Sequence, residues 1–146
     1  MELPNKIFSI KNDNNEHIEL TLTDTLDYPK IKNFWGGYDF SGKLNLMIGG
    51  LNIEKAFFLF STSALEKFSQ ELEVCYKKLK GHAIYKPTAH DATPLQIDIE
   101  FTREGNCEIN CNYKDNENLL KLQFNTNQSY LKGSIEDLKS FLREIT

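Results

Sequence analysis

Ser61 to Gly81 reads Ser-Thr-Ser-Ala-Leu-Glu-Lys-Phe-Ser-Gln-Glu-Leu-Glu-Val-Cys-Tyr-Lys-Lys-Leu-Lys-Gly, and this stretch decides the fold class. Leu65, Phe68, Leu72, Cys75, Tyr76 and Leu79 recur at i, i+3, i+4 and i+7, which gathers them into one apolar stripe on a helix. Ser63-Ala64-Leu65-Glu66 has the form of a capping box, in which hydroxyl and carboxylate each satisfy an otherwise unpaired backbone N–H. Glu66, Glu71 and Glu73 precede Lys77, Lys78 and Lys80, an order that suits the helix dipole, and Gly81 is a suitable left-handed stop. A helix from Ser63 to Lys80 would be about 27 Å long, enough to cross a small sheet. It is the one long helix the chain declares, and it has a single face to bury.

Segments of period two lie on both sides of it. Lys6 to Ile10 reads as a strand, Asn12-Asp13-Asn14-Asn15 as a turn, and Ile18, Leu20 and Leu22 as the inward positions of a second strand. From Asp24 to Gly37 the alternation fails, and Pro29 with Gly36-Gly37 marks a loop. Leu44, Leu46 and Ile48 resume the period, Gly49-Gly50 reverses the chain, and Asn52 to Phe60 is apolar enough to suggest a central strand covered on both faces. Beyond the helix, His82 to Lys86 is a short strand, and Pro87 to Pro94 is a polar loop. Leu95, Ile97, Ile99 and Phe101 then alternate with Gln96, Asp98, Glu100 and Thr102. Cys107, Ile109, Cys111 and Tyr113 share one parity on the next strand. A three-residue loop Glu104-Gly105-Asn106, with Gly105 or Asn106 at positive φ, would set Phe101 opposite Ile109 and Ile99 opposite Cys111. Leu120, Leu122 and Phe124 form a last strand, and Ser134 caps a final helix with Ile135, Leu138, Phe141, Leu142 and Ile145 turned inward. No internal repeat is visible. The expectation is α+β: one or two antiparallel sheets of about seven to eight strands, a long central helix, and a C-terminal helix packed on the sheet. At 146 residues, a single domain spanning residues 1–146 is expected, burying roughly two thirds of its unfolded surface.

The chain is 40% apolar and carries 21 acidic against 17 basic residues, a formal charge of −4. That balance disfavours nucleic acid, whose phosphates reward clustered Lys and Arg, and permits a basic partner. Met1 to Asn5 lacks the basic and apolar regions of a leader, and no apolar run approaches the ~20 residues that span a bilayer. With an odd set of cysteines, Cys75, Cys107 and Cys111, reduced thiols and a cytoplasmic location are expected, with no membrane partner.

Chemistry-bearing constellations are sparse. His17, His82 and His90 are the only imidazoles, none at a metal-ligand spacing, and no Cys-x-x-Cys occurs. Cys107 and Cys111, four apart on a strand, would lie about 13 Å from one another, too far for a shared metal or a disulfide. His90-Asp91 suggests a triad-like relay, but no serine or cysteine has the surroundings of a nucleophile elbow. No catalytic residue, metal or cofactor is expected. Asp98 and Glu100 would lie beside Glu108, Asn110 and Asn112 on the wet face of a sheet, where like charges cost stability and invite either a solubilising or a functional reading. Trp35 beside Tyr38 is either a plug at one end of the core or a binding anchor.

Four stretches carry a family resemblance. Phe34-Trp35-Gly36-Gly37-Tyr38-Asp39-Phe40-Ser41-Gly42-Lys43-Leu44 resembles an aromatic-Gly-Gly-Tyr-Asp-x-x-Gly-x-Leu signature. Phe60 to Phe68 opens the helix, and Tyr76 to Ala83 closes it, in the same family's manner. Asn127-Gln128-Ser129-Tyr130-Leu131 is similar to an Asp-Gln-Ser-Tyr element, with Asn in place of the acid. Together they resemble WapI-like bacterial immunity proteins. The resemblance implies a non-catalytic inhibitor that binds a cognate polymorphic or contact-delivered toxin domain, often a nuclease with a basic cleft, and acts as a monomer or weak homodimer. It supplies no matched binding residues. From face and charge, the candidates for contact are Asp98, Glu100, Glu108 and Asn110, with His90 and Asp91 on the Pro87 to Pro94 lip. The alternatives are a self-associating structural module and, least favoured, an enzyme acting through His90 or a thiol.

Overall fold

The computed structural model describes residues 2–26, 28–33, 36–86, 95–115 and 117–145. Eight strands and two helices follow in order: β1 (Asn5–Lys11), β2 (His17–Leu26), β3 (Asp39–Ile48), β4 (Leu51–Ser61), α1 (Thr62–Lys78), β5 (Gly81–Tyr85), β6 (Leu95–Phe101), β7 (Asn106–Asp115), β8 (Asn118–Asn127) and α2 (Gln128–Ile145). The strands make two antiparallel four-stranded sheets, β1-β2-β3-β4 and β5-β6-β7-β8. The chain is therefore α+β, as the strand segments flanking a striped helix predict. Although no sequence repeat is visible, the order of elements repeats: four meandering strands, then a helix, twice.

Each helix packs chiefly on the first strand of the other half, α1 on β5 and α2 on β1. Side-chain hydrogen bonds fasten these two strands. The Glu71 carboxylate of α1 accepts the Ile84 N–H at 3.0 Å. On the other side, the Ser134 hydroxyl of α2 donates to the Ser9 carbonyl, and Thr126 Oγ1 donates to the Lys11 carbonyl at 2.6 Å. β1 and β5 are edge strands, so these partners satisfy backbone groups that an open edge would leave exposed. One core of buried side chains takes in both sheets and both helices, with Phe68 of α1 edge-on to Phe8 of β1 at 5.5 Å and to Tyr85 of β5 at 6.0 Å. Phe141 of α2 meets Phe40 of β3 at 5.7 Å. No helix is long and apolar enough to cross a membrane among the described residues.

Several local expectations are corrected. β4 is not central: among the described residues it pairs only with β3, at the end of its sheet, and Phe57 on its outer face is 57% exposed. β2 runs on to Leu26 through a register shift between Leu22 and Asp24, where the alternation fails but pairing with β3 resumes. Ser61, not Ser63, caps α1: its extended backbone precedes the helix and its Oγ accepts the Ser63 N–H at 3.3 Å. The left-handed residue after Lys78 is Leu79, at φ 55°, while Gly81 takes φ 104° two residues later.

The β6–β7 register also moves. Ile99 faces Ile109 and Phe101 faces Cys107. The three-residue loop is Arg103–Gly105, one residue earlier than expected, closed by Thr102 N–H to the Asn106 carbonyl at 2.8 Å, with Glu104 and Gly105 both at positive φ. A loop of the same length keeps the same parity, so the inward and outward faces stand as read. Finally, α2 begins at Gln128 and, at 18 residues, is one longer than the 17 of α1. Asn127 is its cap, accepting Ser129 N–H at 3.0 Å, while Ser134 lies buried inside the helix.

Candidate functional site

β6 and β7 place their apolar residues inward, so Gln96, Asp98 and Glu100 of one strand and Glu108, Asn110 and Asn112 of the next share the outer face. Glu100 stands directly opposite Glu108, and Asp98 opposite Asn110. The Asn110 amide donates to the Glu108 carboxylate at 3.1 Å. β8 extends the face with Gln123 beside Asn110 and Asn125 beside Glu108. The result is a polar surface with carboxylates at one end and amides across it. Asp98, Glu100, Glu108 and Asn110 are thus brought together as anticipated. His90 and Asp91, with the rest of the Pro87 to Pro94 lip, lie outside the described residues, as does Trp35.

Sequence reasoning missed His82. It lies on β5 opposite Glu100, and both ring nitrogens reach carboxylates: Nδ1 to Asp98 Oδ1 at 2.9 Å and Nε2 to Glu100 Oε2 at 2.8 Å. The hydrogen bond with Asp98 pushes the imidazole above its ordinary value, assisted by the charges of Asp98 and Glu100 and opposed by slight burial. The signal existed in the sequence, since carboxylates at i and i+2 on one strand present a pair that a neighbouring imidazole can span. The strand pairing that unites them was not legible there. No group of three His, Cys, Asp or Glu side chains suited to a metal occurs among the described residues. Cys107 and Cys111 are buried and free, and burial pushes both thiols up to about 12. That protonation state makes them apolar core fillers and poor nucleophiles at neutral pH.

The Gly-Gly-Tyr-Asp motif and the helix-opening Ser-Thr-Ser meet in space. The Asn33 amide donates to Asp39 Oδ1 and to Ser61 Oγ, both at 2.9 Å, and its carbonyl oxygen accepts the Gly37 N–H at 3.0 Å. Thr62 Oγ1 accepts the Tyr38 N–H at 2.8 Å, and the Tyr38 carbonyl accepts the Thr62 N–H at 2.9 Å. A Cβ at Gly37 would lie 2.7 Å from Thr62 Oγ1 and 2.8 Å from Ser63 N, so only glycine admits this approach. The knot fixes the entry to β3 against the start of α1.

A model of the immunity protein WapI-like family matches residues 9–146, from within β1 to the end of the chain. The chain belongs to that family. Membership supports a role in toxin immunity, and it gives the knot its context: in this WapI-like chain the signature residues hold β3 and α1 together. No curated protein is matched. Among solved structures, a chain from the crystal structures of Trypanosoma brucei MRP1/MRP2 is similar over 99% of this chain and 84% of its own, with a TM-score of 0.51 and 9% identity. At that identity the likeness concerns the fold.

Proposed function

We propose that this WapI-like protein neutralises a toxin domain by binding it through the outer face of β5-β6-β7-β8, without catalysis. The observation that carries the reading is the grouping of Asp98, Glu100 and Glu108 on the half-exposed outer face of one sheet, with Glu100 set against Glu108 although like charges there cost stability. Such a face complements a basic surface and speeds encounter with it. A nuclease, whose cleft must attract phosphate, is the toxin class that fits, and the cytoplasm is where the meeting would take place. The test is triple charge reversal, Asp98→Lys, Glu100→Lys and Glu108→Lys, with affinity measured against the toxin domain whose toxicity co-expression of this protein relieves. Affinity should fall at least tenfold and lose most of its salt dependence; a folded variant binding as the parent does refutes the assignment of this face.

A second reading, self-association, draws support from the outer edges β4 and β8. Leu51 and Ile53 of one meet Tyr113 of β7 and Leu119 and Leu120 of the other around a shared groove, and Leu119 is 56% exposed. Light scattering across concentration separates the readings: a stable dimer abolished by Leu119→Asp favours this one, and a monomer at all concentrations rejects it.

A further inference from the structure

Both nitrogens of one imidazole approach carboxylates that accept but cannot donate when ionised. A neutral ring has a single N–H, so it can serve one carboxylate and turns a lone pair towards the other. The observed geometry is satisfied by the imidazolium form. We propose that His82 is a pH-operated latch: charged, it bridges Asp98 and Glu100, fastens edge strand β5 to β6 and masks part of the acidic face; neutral, it releases Glu100 and opens that face.

Glu100 is the arm released because it already faces Glu108 on the next strand, whereas Asp98 faces the uncharged Asn110. The charged groups around the ring are few. β6 supplies Asp98 and Glu100, β7 supplies Glu108, and α1 brings Glu71 to the Ile84 N–H and Lys78 to the neighbourhood of Cys75. Lys80 and Lys86 flank β5 in sequence. β5 is short, five residues, and among the described residues pairs with β6 alone, so loss of one fastening bears on the whole strand. The sign of the linkage follows from the raised folded-state value. The latch stabilises fully below the ordinary imidazole value of 6.5 and is lost as pH rises through the higher value of the folded protein. At that point the four groups His82, Asp98, Glu100 and Glu108 gain one net negative charge.

Its consequence for partner binding rests on the function proposed above; the latch itself does not. The experiment uses the full chain alone, following His82 by NMR titration and the β5 amides by hydrogen exchange corrected for intrinsic rate. His82 should titrate above 6.5. Asp98→Asn should lower that value most and Glu100→Gln less, and β5 protection relative to β6 and β7 should fall through the same transition. In His82→Gln the relative protection should be independent of pH. A ring titrating at or below 6.5, insensitivity to Asp98→Asn, or β5 amides that track β6 and β7 at every pH would each overturn the latch. If one carboxylate variant does not fold, β5 exchange in His82→Gln decides alone. A working latch combined with unchanged toxin affinity in the triple charge reversal leaves the latch standing and rejects the acidic-face reading.

Discussion

Gly42 sits in β3, opposite Leu22 on one side and Phe58 on the other. A Cβ built there lies 2.2 Å from the Thr21 carbonyl oxygen and 3.1 Å from its carbon. Both are backbone atoms of a strand flanked on each side, so no rotamer change relieves the clash and β2 must move. Overpacking of a well-filled interior costs about 1–3 kcal/mol, and a rigid neighbour puts Gly42→Ala near 3 kcal/mol. For a chain of this size each kcal/mol is worth about 2–4 °C, so a fall in Tm of roughly 6–12 °C is expected. Two companions calibrate the series. Gly36 has open space around it but φ of 81°, so Gly36→Ala meets only the left-handed penalty of about 1–2 kcal/mol. Gly50 has open space and an ordinary φ, so Gly50→Ala should be neutral or gain about 0.4–1 kcal/mol through the unfolded chain. Urea unfolding gives the ranking directly, provided the m-value is unchanged. Gly42→Ala and Gly50→Ala unfolding at the same midpoint would refute the claim that this signature glycine exists for close backbone approach.

Asn127→Ala should destabilise by about 1 kcal/mol through loss of the α2 cap, whereas Asn127→Asp should be nearly neutral because either side chain offers the accepting oxygen; equal losses in urea unfolding would refute the cap. Ser134→Ala should cost about 1 kcal/mol, since the half-buried Ser9 carbonyl loses its donor, and a neutral result would reject that bond as a fastening of β1. Cys107 and Cys111, with thiols pushed up to about 12, should resist a disulfide reagent at pH 8 until the chain is unfolded; stoichiometric labelling of either in the folded protein would contradict their burial.

Parity was the most legible property of this sequence. The alternation of Leu95, Ile97, Ile99 and Phe101 with polar residues foretold both faces of β6, and hence the companionship of Asp98 and Glu100, without any knowledge of register. The register itself depended on where a three-residue turn began, and Gly105, which takes positive φ freely, fits either the second or the last place of such a turn. Edge status was hidden because Asn52 to Phe60 is apolar on both parities, which suits a doubly covered strand or, as here, an edge with Phe57 left outside. Cap positions slipped by a few residues because Ser61 and Ser63 offer the same chemistry, and Asn33, 28 residues from Ser61, chooses between them. His82 was invisible as a partner of Asp98 because the pairing spans 16 residues, and strand-to-strand adjacency is set by packing, not by any local pattern.

The exchange of helices between halves has a bearing on biosynthesis. On the ribosome, the first four strands emerge long before β8 and α2, so the outer rim of β1 waits for the end of β8 to offer Thr126 and for the 18 residues of α2 to offer Ser134 to its carbonyls. Neither half completes itself. Trimming the C-terminal helix should therefore harm the N-terminal sheet, where pairing templates would lie bare to other nascent chains, and fusions placed after Ile145 need a spacer long enough to let that helix dock.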